Sequence, residues 1–485
     1  MDIPRCNALW CSAMALLFLT IVISSRIRRA RITIHPSKRP PLVDGITLLR
    51  LLPTLLKEGL PAMMNDLYLK YGSVFTVSPF GINVTVLIGP EVTGHFFQGI
   101  ESEISHGNLF EFTVPMFGKS VFYGRDSATR VEQTRFHIEA LKPSSLSRHV
   151  SPMIQEVEDY FAKWGKEGVV NLKFEFEQIL MLISSRCLLG KEVRENMFDE
   201  VSRLFRELGN GVTLIGFLYP YLPTPANHRR DRARIRLTEM LSGVVESRKR
   251  SGRVEDDTLQ RLIDSKYKNG RSTTVEEVAG LIIGLLFAGE HTSSITSTWT
   301  GACLLSHPTF LRAAIEEQEQ ITKKYKDVLD YNVFLEMDTL HCCIKEALRM
   351  HPPIPLLVRK THKHFTVQTK EGKQYEIPQD QIVASPTVVN NSIPYIYKDP
   401  QVYDPYRFSP ERKEDKIGGK FSYTTFGGGR HVCTGEAYAY MQIKVIWSHL
   451  LRNFELELIS PFPKTDSRKF LAEPEGNIFV RYRRT

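Results

Sequence analysis

Between Phe426 and Gly435 the chain reads FGGGRHVCTG, one cysteine preceded by three glycines and followed by a fourth two residues later. A cysteine used only for packing needs no such approach. A thiolate that ligates a metal does, because it needs backbone N–H groups at its sulfur and a helix N-terminus to hold its charge. A glycine-rich loop running into a helix supplies both, and the helix is predicted to begin just after Gly435. Glycines also let a backbone lie against a large flat group, so the residues suit haem iron, with Cys433 as ligand, Phe426 shielding the sulfur, and His431 with Arg430 reaching the propionates. Cys433 alone fits a structural cysteine in a turn equally well. The full pattern F-x-x-G-x-H-x-C-x-G separates the two. A phosphate-cradling loop fits less well, since neither G-x-G-x-x-G nor G-x-x-x-x-G-K-[ST] occurs here.

A second chemical cluster sits inside a predicted helix from about Val275 to Leu305. Thr274 with Glu277 three residues on has capping-box spacing, and His307-Pro308 ends the run. Such a helix, largely apolar, is expected to cross the middle of a large domain. In its centre stand Ala288-Gly289-Glu290-His291-Thr292-Ser293. Polar groups there cost stability unless partnered, which points to a water-bearing functional site. The next helix carries Glu346 and Arg349 on one face at i, i+3. A generic pair of this kind is usually a solvated ion pair.

These residues need a frame. VFTVSPFGINVTVLIG, from Val74 to Gly89, reads as a hairpin turning at Pro79 to Gly81. Leu109 to Tyr123 is aromatic and aperiodic, the character of a segment covering a pocket. Amphipathic helical stretches from Val150 to about Ser265, broken near Pro220 to Pro225, read as a bundle. Extended segments are expected around Leu356 to Val358, Phe365 to Thr369 and Ile382 to Ala384. His362 and His364 are expected on the wet side of a strand. A buried helix from Glu436 to Leu451 closes the series.

The 485 residues are 42% hydrophobic and 24% charged, an ordinary globular composition. The net charge of +9 is spread along the chain, which suits a membrane surface or an acidic protein partner and argues against nucleic acid. Seven cysteines argue against a disulfide framework. Ala8 to Ser25 is apolar, and as a helix it would span roughly 27 Å, enough for a thin bilayer. Arg26, Arg28, Arg29 and Arg31 follow it directly, so an uncleaved anchor with its C-terminal side in the cytosol is expected in place of a signal peptide. Pro36, Pro40 and Pro41 then stiffen a linker.

Taken together, the A-G-x-x-T helix centre, E-x-x-R followed by P-x-R-F at Pro405 to Phe408, and the cysteine loop stand in the order and rough separation of one family. The chain resembles a membrane-bound eukaryotic cytochrome P450 over its whole length after the anchor. VPMFG around Phe117, AGEHTSSITSTWTGA from Ala288 and FGGGRHVCTGE resemble the sterol 14α-demethylase branch. IKVIWSHLLRNFELELISPFP resembles its plant members, which act on obtusifoliol.

The resemblance implies a mostly α fold with small β-sheets: an N-terminal transmembrane anchor at 1–25, a basic, proline-rich linker at 26–45 and a catalytic domain at 46–485. It implies haem b held by Cys433, with Phe426, Gly429 and Gly435 in the haem loop. His431, Arg359, Tyr123 and Arg135 would meet the propionates. Glu346, Arg349 and Arg407 would form a buried ion network. Thr292 would guide protons, with His291 or Glu290 as relay. Phe112, Phe117, Phe122, Phe287, Ala288, Leu356 and Leu357 would line an apolar substrate pocket.

Electrons would come from a separate NADPH-cytochrome P450 reductase docking on basic residues such as Lys420, Arg430 and Lys444, at the endoplasmic reticulum membrane. Five departures fall near the implied pocket: Phe110 for a usual tyrosine, Glu290 for glutamine, Gly124 for aspartate, Ile354-Pro355, and Phe470 to Glu473. They make a changed substrate the expectation, a plant triterpenoid such as a pentacyclic alcohol. Obtusifoliol 14α-demethylation is the alternative, followed by a reductase-independent haem-thiolate isomerase or a haem protein without turnover.

Overall fold

The computed structural model describes residues 38–485 except 79, 80, 213, 327, 467, 468 and 470. The predicted anchor and most of the linker lie outside the described residues, as do two residues of the hairpin turn and part of the divergent segment from Phe470. The chain divides into two compact units. The first comprises Met1–Leu109, Ile354–Pro400 and Glu414–Val432, and the second Phe110–Pro353, Gln401–Lys413 and Cys433–Thr485.

In the first unit, helix α1 (Gly45–Glu58) starts where the Asp44 carboxylate accepts from the Thr47 backbone N–H at 2.8 Å. Helix α2 (Leu60–Tyr71) leads into the expected hairpin, β1 (Val74–Val77) and β2 (Val84–Leu87), paired antiparallel with Val74 opposite Leu87. Helix α3 (Pro90–Gln98) and strand β3 (Ile104–Ser105) follow. The later segments supply β5 (Leu356–Thr361), β6 (Phe365–Gln368), β7 (Gln374–Ile377) and β8 (Ile382–Pro386).

One sheet has the order β1-β2-β8-β5-β3, and β6 pairs with β7. Phe96 and Phe97 of α3 pack with Phe365, Val367, Tyr375 and Ile377 in one apolar cluster, so the short strands are held by side-chain burial as well as by their ladders. His362 and His364 depart from the expected strand. Strand β5 ends at Thr361, and His362 turns back so that its Nε2 lies 2.8 Å from Ser105 Oγ.

The second unit is helical: α4 (Ser127–Leu141), α5 (Pro143–Phe161), α6 (Leu172–Ser184), α7 (Phe198–Gly209), α8 (Pro225–Ser251), α9 (Val275–Ser306), α10 (Pro308–Tyr325), α11 (Asp338–Met350) and α12 (Glu436–Asn453). Helix α9 has 32 residues and begins at the capping box of Thr274 and Glu277, as the spacing predicted. It packs against α6, α8, α11 and α12. Among the described residues it is the one helix long and apolar enough to cross a membrane, and its burial marks it as a core helix.

Past its midpoint, Trp299 stacks on His351 at 3.7 Å and donates to the Ala472 carbonyl at 3.0 Å, fixing α9 to the end of α11 and to the C-terminal segment. A sheet of order β4 (Glu167–Asn171), β10 (Phe479–Arg484) and β9 (Phe454–Leu458) completes the unit.

Candidate active site

The cysteine loop runs out of the first unit and into the second, Val432 being the last residue of one and Cys433 the first of the other. Gly427 and Gly429 sit at φ +74° and +60°, a region that disfavours side chains. A Cβ on Gly429 would also lie 2.0 Å from the Phe97 carbonyl oxygen, so this loop can pass α3 only as glycine. Helix α12 starts at Glu436, as predicted. The N–H groups of Gly435 and Glu436 both act on the Cys433 sulfur to favour the thiolate.

Burial among protein atoms nevertheless pushes the Cys433 thiol up, with the Glu436 charge adding to it. The residue as a whole is still solvent-exposed. An exposed cysteine with two backbone donors at its sulfur, at a helix start and following a glycine-rich loop, fits a thiolate ligand of a flat metal-bearing group. Phe426 is half-buried in the same loop.

His431 Nε2 lies 3.1 Å from Glu101 Oε1, and its ring meets His106 edge-on at 4.6 Å. Arg359 is buried, its guanidinium 5.1 Å from the Phe96 ring centre. Arg430 is exposed and its Nε donates to the Gln98 carbonyl at 3.1 Å.

Helix α9 is buried almost throughout except at its centre, where Ala288 is exposed and Phe287, Gly289, His291 and Thr292 are half-buried. A gap of this kind in a core helix marks a face turned to open space. Thr292 Oγ1 donates to the Ala288 carbonyl at 2.7 Å, one turn back. Glu290 is 8% exposed. Burial, with the Glu177 charge near it, pushes the Glu290 carboxyl up to about 8, against the pull of Arg206. At neutral pH Glu290 is therefore largely protonated. Burial moves His291 the other way, below the usual imidazole range and partly offset by Glu473, so that ring is neutral.

Aromatic residues of the second unit gather beside this gap in α9. Phe117 meets Phe122 and Phe287 edge-on, each at 5.7 Å, and Phe112 lies 4.8 Å from Phe217. All five are half-buried. Gly280 and Gly284 of α9 let this segment approach, because a Cβ at either would lie 2.6 Å from the Phe117 carbonyl or 2.5 Å from the Phe122 ring. Phe122 holds φ +48°, unusual for a bulky residue, while its N–H donates to Gln133 Oε1 at 2.8 Å.

Phe110 stacks on Tyr123 at 5.1 Å, and the Arg130 guanidinium lies 4.8 Å from the Tyr123 ring centre. Arg135 donates to the Lys266 carbonyl at 2.7 Å and pairs with Glu132, so Arg130 is the arginine the structure brings to Tyr123. In the first unit, Leu356 and Leu357 are half-buried at the start of β5.

Glu346, Arg349 and Arg407 come together as expected. Glu346 accepts from Arg349 at 2.7 and 2.8 Å, from Arg407 Nε at 2.9 Å and from the Asp404 backbone N–H at 3.1 Å. All three side chains are essentially fully buried. Lys444 overturns an expectation. It is buried, its Nζ donates to the Phe334 carbonyl at 2.8 Å, and burial brings its ammonium down to about 8, so it offers no surface charge to a partner.

The sequence model of the family described as Cytochrome P450 matches residues 40–481. The chain is 49% identical over 483 residues to the obtusifoliol 14-alpha demethylase of Sorghum bicolor, covering 100% of this chain and 98% of that protein. It is 52% identical over 445 residues to the sterol 14-demethylase of Arabidopsis thaliana, covering 92% and 90%. To the lanosterol 14-alpha demethylase of Bos taurus it is 36% identical over 425 residues, covering 87% and 83%. Among solved structures, the retinoic acid bound cyanobacterial CYP120A1 shares the fold with a TM-score of 0.79 at 21% identity, covering 93% of this chain and 100% of that one.

Proposed function

The chain belongs to the cytochrome P450 family, and from that premise we propose that it removes the 14α-methyl group of a plant sterol such as obtusifoliol. It is a monooxygenase with thiolate-ligated haem b as cofactor. Haem so ligated supplies the dioxygen chemistry, its thiolate pushing electron density to favour O–O cleavage. The Cys433 sulfur with the N–H groups of Gly435 and Glu436 turned to it, at the start of α12, is the observation that supports the ligand assignment. The roles that the resemblance gives to Phe426, Gly429, His431 and Arg359 in the first unit, and to Tyr123, Arg135 and Gly435 in the second, are proposed with it.

The substrate assignment is supported by relatives of 49 to 52% identity over nearly the whole chain that are named as obtusifoliol or sterol 14-demethylases. The expected pentacyclic triterpenoid finds no support among them. Phe112, Phe117, Phe122, Phe287 and Ala288 offer a wall of the rigid, apolar kind that a fused-ring sterol fits, with Leu356 and Leu357 proposed as further contacts. Thr292 Oγ1 is proposed as the group that hands on the proton. Released from the Ala288 carbonyl, it can donate toward the substrate side and be refilled from water beside neutral His291 or protonated Glu290.

Electrons come from an NADPH-dependent reductase that meets exposed Lys420 and Arg430. The apolar run from Ala8 to Ser25 and the arginines after it support an anchor in the endoplasmic reticulum membrane, where a sterol partitions.

The test supplies the full-length protein in membranes with reductase, NADPH and a panel of 14α-methyl sterols and pentacyclic triterpenoids, with products identified by mass. Loss of the 14α-methyl group from obtusifoliol is expected. Turnover of a triterpenoid with no 14α-methyl sterol converted would overturn the substrate, and a Cys433→Ser protein that kept the red-shifted Soret band of a thiolate-ligated ferrous carbon monoxide complex would overturn the ligand.

A further inference from the structure

Helix α12 starts immediately after the cysteine loop, and in its second turn it carries Gln442, a fully buried amide. Its Nε2 donates to the Gly289 carbonyl at 3.0 Å and to Ser293 Oγ at 2.5 Å, both on α9. Ser293 is itself buried. Gly289 and Ser293 flank Thr292 in sequence and lie one helical turn apart, so a single amide nitrogen grips the backbone turn from which Thr292 projects.

The amide oxygen of Gln442 is buried and has no partner among the described residues. A buried polar atom left this way is costly, and a packing role would be served by methionine or leucine without that cost. The orientation is also determined: a carbonyl at Gly289 only accepts, so the nitrogen end must face α9.

The other carbonyls near this turn are taken from within α9, Ala288 by Thr292 and Thr292 by the Thr296 hydroxyl at 2.8 Å. Among the described residues, the Gly289 carbonyl is the one in this turn bonded by a side chain from another helix.

We propose that Gln442 is a positioning residue for proton delivery: it ties the helix that follows the cysteine to the turn of α9 that presents Thr292, and so sets where the Thr292 hydroxyl stands. This rests on the roles proposed above for Cys433 and Thr292. Without the tie, the turn can relax onto its own i, i+4 bonding, and the hydroxyl loses its set position while sulfur and haem are untouched. Reduced oxygen should then escape as hydrogen peroxide in place of entering product.

The test uses full-length, haem-loaded protein with reductase and a converted sterol, comparing the parent with Gln442→Met, which keeps length and loses the donor, and Gln442→Glu. The ferrous carbon monoxide Soret band, NADPH oxidised, peroxide released and product formed are all measured. In Gln442→Met the thiolate band should stay at the parent position while the share of NADPH lost as peroxide rises roughly fivefold, the factor for one hydrogen bond of ordinary net strength. Gln442→Glu should show the same rise only at a pH high enough to ionise a carboxyl as deeply buried as this one. Its coupling, taken relative to the parent at each pH, should recover as acid protonates the carboxyl and restores a donor to the Gly289 carbonyl.

A peroxide share within twofold of the parent in Gln442→Met, or no acid recovery in Gln442→Glu, would overturn the proposal and leave Gln442 a packing residue. If neither variant holds haem, Ser293→Ala decides: a rise in peroxide with the thiolate band intact supports the tie, and unchanged coupling removes it. A parent protein without the thiolate band would instead sink the underlying reading, so the two failures are distinguishable.

Discussion

Replacing Glu346 by alanine would leave Arg349 and Arg407 buried in the second unit without the carboxylate that both contact. Glu346 accepts four hydrogen bonds, three from guanidinium groups and one from the Asp404 N–H, at 2.7 to 3.1 Å. Charge-assisted bonds contribute about 1.5–3 kcal/mol each, but they share one acceptor group and do not add. The governing magnitude is that of breaking a buried ion pair, about 3–5 kcal/mol, because the positive charges stay behind in a medium that solvates them poorly. Against a total stability of about 5–15 kcal/mol, that is a large fraction.

Two measurements check this. Denaturant unfolding followed by far-ultraviolet circular dichroism should show Glu346→Ala less stable by about 3–5 kcal/mol. The Glu346→Ala, Arg407→Ala double variant should lose less than the sum of the singles, by about 0.5–3 kcal/mol, since removing Arg407 also removes a stranded charge. A single variant within about 1 kcal/mol of the parent, an exposed-pair value, or strict additivity in the cycle would refute the reasoning.

Thr292→Ala should keep haem and its thiolate band while product per NADPH falls by a factor of about 100, the lower end for a lost proton-transfer group; unchanged coupling in the same assay removes Thr292 from the mechanism. Glu290→Gln should change how stability depends on pH. The folded carboxyl titrates near 8 and the unfolded one near 4.5, so the parent loses stability as pH rises through that interval, when the unfolded chain ionises and the folded one does not. Melting temperatures taken from pH 5 to 8 should therefore fall more steeply for the parent than for Glu290→Gln, and parallel curves would contradict the burial of that charge. Gly429→Ala must displace the backbone carbonyl of Phe97, so it should purify with less haem per protein, measured by the Soret-to-protein absorbance ratio; full occupancy would show that the loop has slack.

Local signals predicted the elements that local chemistry fixes. Thr274 and Glu277 announce the start of α9 because the capping box is written in four consecutive residues, and the β-branched run at Val74 to Leu87 announces its hairpin. The Glu346, Arg349 and Arg407 network was legible through family resemblance, since nothing in the E-x-x-R spacing says that its carboxylate accepts from a residue far along the chain. The pairing of β10 with β4 was not legible, because strands of six and five residues carry weak local signals and this pairing joins distant parts of the chain.

Lys444 was misread for a related reason. A lysine in a helix looks like surface charge unless the burial of both flanking faces is known, and that burial comes from α10 and the segment at Phe334. Gln442 carried no signal at all, since a lone glutamine in an apolar helix gains meaning only when its partner carbonyl is located.

The first compact unit is assembled from three separated stretches of chain, the last of which ends at Val432, immediately before the cysteine. During synthesis, its hairpin and first helices leave the ribosome long before β5, β8 and the glycine loop exist to cover them. That unit cannot finish folding in N-terminal-first order, and its early strands must wait, exposed or guarded, until nearly nine-tenths of the polypeptide has been made. Translation pauses or truncations late in the message should therefore yield insoluble chains, and shielding of the nascent β1–β2 edge by a chaperone becomes part of what the protein needs in order to mature.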